Sequence, residues 1–221
     1  MPLRFLTAGE SHGPALTTIL DGLPAGLPLS SVVINRELAR RQQGTGAGPR
    51  MKVEQDTARI LGGVMAGETT GAPLALIIEN IDHARWRGKG IPPLTIPRPG
   101  HADLTGTIKY GYRDLRPALE RASARETAAR VAVGAVCKHL LVQFGITVGG
   151  YVASIGDIQA NLAAILFEER AVRAESSPVR CPDPIASELM QERIRQVIQD
   201  RDTLGGVIEV IALGLPPGLG S

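Results

Sequence analysis

The pentapeptide GESHG at residues 9–13 offers two different reactive groups. It matches G-x-S-x-G, the nucleophile elbow of serine hydrolases, which would make Ser11 the attacking group. That elbow needs a sharp strand-to-helix turn to expose the hydroxyl and supply an oxyanion hole. The residues that follow, PALTTILDG at 14–22, open on a proline, carry two threonines and an isoleucine, and close on Asp21 and Gly22. This composition predicts a strand ending in a turn instead of a helix. A triad would also need an acid and a later histidine; His101 and His139 are available, but nothing specifies them. His12, in the same pentapeptide, is a proton donor or acceptor near neutral pH. A glycine-flanked turn with no chemistry is the third reading these five residues allow.

A second reactive stretch is ERASARETAARVAVGAV at 120–136. Ser123 and Glu126 have the spacing of a capping box. In it the Ser123 hydroxyl accepts from the Glu126 amide and the Glu126 side chain reaches back to the Ser123 amide. A helix then starts at Ala124, and its Ala/Val/Gly run from Ala128 to Val136 predicts burial. Arg121 and Arg125 stand at the positive end of that helix, where acids are usually preferred. That placement asks for an anion. The alternative is that both arginines pair with Asp114, Glu120 or Glu126. A third stretch, IPRPGHAD at 96–103, carries Arg98, His101 and Asp103, and Pro97 and Pro99 stiffen the backbone that presents them. The four histidines have no zinc-type spacing, and no metal is expected.

The charge distribution agrees with an anionic ligand. Residues 36–59 carry six Lys/Arg against three Asp/Glu, and residues 83–130 carry ten against four, whereas residues 157–209 carry six against ten. Positive charge is thus concentrated in the first 130 residues. These arginines sit among Gly and Pro without the aromatic platforms that single-stranded nucleic acid needs, so a small phosphorylated ligand is favoured over nucleic acid. No apolar run approaches the ~20 residues of a membrane span, and the first residues lack the apolar stretch of a signal peptide. Cys137 and Cys181 form no recognisable framework and suit a reducing cytoplasm.

The elements that must position these groups are legible in outline. Strands are predicted at 15–21, 73–80, 147–156 and 206–212. Helices are predicted from Ser30 or Ser31 to about Gln43 with Gly44 as the stop, over 124–144, and over 184–201. Residues 44–50, GTGAGPR, form a glycine loop carrying Arg50. Residues 82–106 read as one long Pro/Gly-rich loop. One internal similarity stands out: residues 17–29 align without gaps on 209–221, with six of thirteen positions identical, among them Gly22 with Gly214 and Gly26 with Gly218. The offset of 192 predicts a duplicated half whose second copy begins near residue 205, residues 1–204 forming the first. A complete protein would then be about 380 residues long.

Taken together, GESHG…DG.P.G at 9–26, GPRMK at 48–52, RPGHADL…KYG..D.R at 98–116, ERASARETAARVAVGA at 120–135, SPVRCPDP at 177–184 and DTLGGVIEVIALGLPPGLG at 202–220 resemble the chorismate synthase family over essentially the whole chain. The resemblance implies an α+β fold with helices sandwiched between antiparallel sheets, a pseudo-duplicated core and a homotetramer. It implies the anti-1,4-elimination of phosphate from 5-enolpyruvylshikimate 3-phosphate to give chorismate in aromatic amino acid biosynthesis. Reduced FMN is the implied cofactor, and NADPH where the protein reduces its own flavin. Carried over by position, His12 is a general acid beside the departing phosphate and His101 sits near the flavin. Ser11, Arg41, Arg50, Arg98 and Arg125 contact the substrate. Arg121, Ala122 and Ser123 match an FMN-binding segment, and Arg41 also matches an NADPH position.

Three departures qualify the match. Gln42 and Ala47 stand where the family pattern usually has arginine, and the loop at 82–97 is short. The third family signature, with its flavin-proximal aspartate, is not found in these residues, so negligible turnover is expected of the 221-residue chain alone. Two other classes stay in view: a non-catalytic anion-binding or assembly module, and a serine hydrolase using Ser11.

Overall fold

The structure, a computed structural model, describes residues 2–44 and 55–219. Arg50 and Ala47 lie outside the described residues. The chain divides into two compact units, one of residues up to 42 together with the chain up to Cys137, the other mainly of residues from Lys138 onward.

The first unit holds seven strands and the start of a long helix. In chain order these are β1 (Arg4–Ala8), β2 (Ala15–Asp21), β3 (Ala25–Pro28), α1 (Ser31–Arg41), β4 (Ala58–Gly62), β5 (Val64–Met65), β6 (Glu68–Thr70) and β7 (Leu74–Glu79). There follow α2 (His83–Trp86), α3 (Asp103–Tyr110), α4 (Arg116–Ala122), a 3₁₀ turn (Ala124–Glu126) and α5 (Thr127–Val142). The second unit contains β8 (Thr147–Ile155), β9 (Ile158–Gln159), α6 (Phe167–Ala174), α7 (Pro184–Asp200) and β10 (Gly206–Leu213). The fold is mixed α+β with three antiparallel sheets among the described residues, ordered β1-β2-β7-β4, β3-β6-β5 and β10-β8-β9.

Residue pattern accounts for these elements. Leu16, Thr18 and Leu20 are buried on alternate positions of β2, and Leu74, Leu76 and Ile78 on β7, as a half-buried strand requires. Ile34, Glu37 and Leu38 make the buried stripe of α1 at helical spacing. Ala128, Ala129, Ala132, Val133, Ala135 and Val136 bury a broad face of α5, as its composition predicts. In the second unit Tyr151 on β8 packs with Ala174 and Ile211, and Met190 of α7 packs with Val179, Cys181 and Ala186.

Three local expectations need correction. Residues 82–106 are not one loop: α2 lies near the start, and Asp103 opens α3, with the acid at the positive helix end. The capping box is not formed. Ser123 Oγ accepts from the Arg125 amide at 3.4 Å, and Glu126 turns to Thr7 and Arg130 at 2.6 and 2.7 Å. The Ser30 side chain makes no cap bond to α1, which ends at Arg41 with Gln42 as its cap, before Gly44.

The similar segments end in matching backbone geometry. Gly22 follows β2 at φ 90°, and a Cβ there would lie 2.8 Å from the carbonyl oxygen of Pro2, two residues before β1. Gly214 follows β10 at φ 78°, and its Cβ would lie 2.4 Å from the carbonyl oxygen of Gly145, two residues before β8. Gly26 and Gly218 share φ values of 81° and 85° but face open space. Gly26→Ala and Gly218→Ala are therefore expected to cost only the left-handed penalty of about 1–2 kcal/mol. Gly22→Ala and Gly214→Ala must also displace backbone and are expected to cost more. Urea denaturation of the four single variants tests this ordering, and equal losses at all four would contradict it.

Candidate active site

The pentapeptide forms the turn of the β1–β2 hairpin, with Ala8 opposite Thr17. It therefore joins two antiparallel strands, and the strand-to-helix context of a nucleophile elbow is absent. Gly9 makes the turn possible: its φ is 111°, and a Cβ would lie 2.4 Å from the Ala15 carbonyl oxygen. Asn80, buried just beyond β7, fixes the loop from below. Its amide nitrogen donates to the carbonyls of Glu10, Ser11 and Gly13 at 3.1, 3.3 and 2.8 Å, and its backbone N–H donates to Pro14.

His12 is held from the end of α4. Its Nδ1 lies 2.8 Å from Glu120 Oε1, its backbone N–H donates to Glu120 Oε2 at 2.8 Å, and the neighbouring Ser11 N–H donates to the Glu120 carbonyl at 3.1 Å. The imidazole packs against Trp86 with centroids 4.6 Å apart, and His83 Nδ1 donates to the His12 carbonyl. Ser11 is buried, and its Oγ accepts from Ser123 Oγ at 3.0 Å. The first residue after α4 thus touches the pentapeptide as well.

Arg125 is 6% exposed and reaches three partners: Asn80 Oδ1 at 2.7 Å, the Glu79 carbonyl and the carboxylate of Asp56. Asp56 also takes Arg41 Nη1 at 3.3 Å, while Arg41 Nε and Nη2 donate to Thr127 Oγ1 and the Ala124 carbonyl, both at 2.9 Å. Two guanidiniums thus share one buried carboxylate. Burial pulls the Arg41 pKa down; Asp56 opposes this and Arg125 adds to it. Gln42 accepts the Asp56 backbone N–H through its side-chain oxygen at 3.2 Å. An arginine, with donors only, could not make that bond.

Arg98 and His101 are organised by one residue. Asp103 Oδ2 accepts from Arg98 N and Nε at 3.1 and 2.8 Å and Oδ1 accepts from Nη2 at 3.1 Å, and His101 Nδ1 lies 2.5 Å from that same Oδ1 as an ion-pair contact without hydrogen-bond alignment. The Arg98 side chain remains 46% exposed. Its pKa is raised chiefly by the Asp103 hydrogen bond, burial opposing and Glu120 contributing at longer range. The carboxylate that holds His12 is therefore within electrostatic reach of Arg98. Arg121 donates from Nη2 to the Thr7 carbonyl and hydroxyl and lies 3.5 Å from Glu126.

The structure thus ties Ser11, His12, Arg41, Ser123 and Arg125 into one hydrogen-bonded framework, and places Arg98 and His101 on a second anchor, Asp103. Arg121 has the internal acid foreseen for it, but Arg125 pairs with Asp56, which sequence reasoning missed together with Asn80 and the grip of Glu120 on His12. Glu120 was visible as one candidate partner for the arginines; Asn80, at the end of a predicted strand, carried no signal. Among the described residues no group of three or more His, Cys, Asp or Glu is placed to hold a metal ion.

Hydrogen bonds from Arg98 hold the Asp103 carboxyl well below the usual carboxylate range, against the opposing effect of burial. In that case the unfolded chain takes up the proton first as pH falls. The stabilisation is complete above the ordinary carboxylate pKa of about 4 and is lost below it. Thermal unfolding of the native chain and Asp103→Asn should differ at pH 6 and converge toward pH 2. A difference that does not change with pH would refute the assignment.

The family model for chorismate synthase matches residues 3–221. The chain belongs to the chorismate synthase family. It is 55% identical over 234 residues to chorismate synthase from Symbiobacterium thermophilum, a match covering 99% of this chain and 60% of that protein. It is 53% identical over 238 residues to the Aquifex aeolicus enzyme, with 99% and 59% covered. A crystal structure of chorismate synthase superposes with a TM-score of 0.83 at 48% identity, covering all of this chain and 60% of that one. The chain spans about 60% of the length of the curated relatives it matches. The chorismate synthase family uses reduced FMN. No described helix is long and apolar enough to cross a membrane.

Proposed function

We propose that this chain carries the phosphate-handling part of a chorismate synthase. The reaction is the anti-1,4-elimination of phosphate from 5-enolpyruvylshikimate 3-phosphate to chorismate in a cytoplasmic shikimate pathway. The observation that carries the proposal is the pairing of a partly open imidazole, His12, with a framework whose two guanidiniums share a single buried carboxylate. A multiply charged anion completes such a charge set, and fork-shaped donors suit phosphate and carboxylate. In this reading His12 holds the proton that meets the departing phosphate, with Ser11, Arg41, Arg50, Arg98 and Arg125 around the anionic groups.

Bound reduced FMN would supply a transient electron to the ring that loses phosphate. The chain's residues fit the anionic end of that cofactor. The Arg121 side chain is 45% exposed beside Ala122 and Ser123, so its guanidinium can take a phosphate while keeping its Thr7 contacts. His101, anchored by Asp103, would adjoin the flavin, and Arg41 would also serve NADPH. A homotetramer and a pseudo-duplicated core belong to the same proposal. The core is supported by the matched glycines at 22 and 214 and by equivalent antiparallel pairings, β1 with β2 and β8 with β10.

The test is anaerobic turnover with dithionite-reduced FMN. It uses a chimera in which the Symbiobacterium thermophilum relative supplies the part of its length not matched by this chain. Chorismate formation is expected. Tight phosphate binding with no turnover by the chimera would favour the non-catalytic anion-binding module instead.

A further inference from the structure

His12 has two ring nitrogens, and its chemistry depends on which one keeps a proton. Nδ1 lies 2.8 Å from Glu120 Oε1 and 3.1 Å from Oε2. An ionised carboxylate only accepts, so Nδ1 must donate. The same carboxylate takes the His12 backbone N–H at 2.8 Å. Both hydrogen bonds end on one residue, which fixes the backbone and the ring together. The Glu120 carbonyl is one of the last four of α4, which have no partner within the helix, and it accepts from Ser11 N. The pentapeptide is therefore docked on the helix end by three N–H groups of two consecutive residues. The Glu120 side chain is 11% exposed and that of His12 27%, so the pair is sheltered on the carboxylate side and open on the imidazole side.

We infer that Glu120 is the positioning residue of the site, holding the His12 proton on Nδ1 so that Nε2 is the only nitrogen that exchanges protons with a bound anion. The inference takes its purpose from the function proposed above. In the donation step the Nε2–H bond breaks, its electron pair stays on Nε2, and an O–H bond forms on the departing phosphate oxygen. The imidazole left behind carries its single proton on Nδ1, the tautomer that Glu120 already binds. Without the carboxylate either nitrogen could lose the proton, and neutral imidazole in water favours Nε2–H, the opposite tautomer. Outer partners of this kind set tautomer and ring orientation. Glutamine is not equivalent here, because with its oxygen on the backbone N–H its NH2 replaces the Oε1 that lies 2.8 Å from Nδ1, and that NH2 can donate to an unprotonated Nδ1 and so support the other tautomer.

Nitrogen-15 NMR of the imidazoles in the 221-residue chain tests this, with His12→Gln assigning the His12 signals. In the native chain, neutral His12 is expected to be protonated on Nδ1. In Glu120→Ala the two nitrogen signatures should interchange, and in Glu120→Gln both tautomers should appear. Neutral native His12 protonated on Nε2 would overturn the inference without need of any variant. So would an unchanged tautomer in a Glu120→Ala chain whose backbone spectrum is native. Titration with inorganic phosphate separates the two proposals. A response at Nε2 of the native chain supports both, whereas a native Nδ1–H tautomer with no phosphate response would count against the proposed function and leave the Glu120 assignment standing.

Discussion

Replacing Asp56 with alanine is expected to lower the unfolding free energy by roughly 3–5 kcal/mol, the range for removing one partner of a buried ion pair. Asp56 is 5% exposed, and its two oxygens meet different arginines, Arg125 through Oδ1 and Arg41 through Oδ2. The loss comes less from the missing attraction than from two guanidinium charges kept in a sheltered place without their carboxylate. Inorganic phosphate should stabilise Asp56→Ala more than the native chain, because it can occupy the ground the carboxylate leaves. At a concentration one hundred times its Kd, a ligand specific to the folded state adds about 2.7 kcal/mol. Chemical denaturation with and without phosphate measures both effects. A loss below about 1 kcal/mol would mean that water already satisfies the two arginines, and the site would not be the concentrated positive framework described here.

His12→Ala in the chimeric enzyme is expected to lower kcat by about 10²–10⁴, the usual contribution of a positioned general acid. Ser11→Ala should cost far less. Ser11 is buried against Ser123 and supports the loop, whereas the partly open imidazole of His12 faces outward from Glu120. Steady-state turnover under reducing conditions compares the two. Near-native activity in His12→Ala would remove the proton-donor role. Complete loss in Ser11→Ala with activity retained in His12→Ala would reopen the reading of Ser11 as the reactive group.

Several elements were legible because their signal is local. The apolar alternation of β2, β7, β8 and β10 and the helical stripes of α1, α5 and α7 depend on residues a few positions apart. The motifs likewise announced Ser11, His12, Arg98, His101 and Arg125 as a group. Where a local rule competed with a distant partner, it failed. Ser123 and Glu126 have capping-box spacing, yet the serine hydroxyl bonds Ser11 and the glutamate takes Thr7 and Arg130. Asp103 looked like a loop acid after a glycine and an alanine, but three donors of Arg98 draw it into place as the first residue of α3.

The order of residues by itself determined the family, the longest strands and helices, and which side chains could do chemistry, since side-chain type and short-range spacing are written along the chain. Tertiary structure alone decided which carboxylate meets which cation. Arg125 finds Asp56 69 positions away, and His12 finds Glu120 108 positions away. Ion pairs and hydrogen bonds are settled by distances of a few ångströms, and those exist only after strand register and helix packing have brought remote segments together.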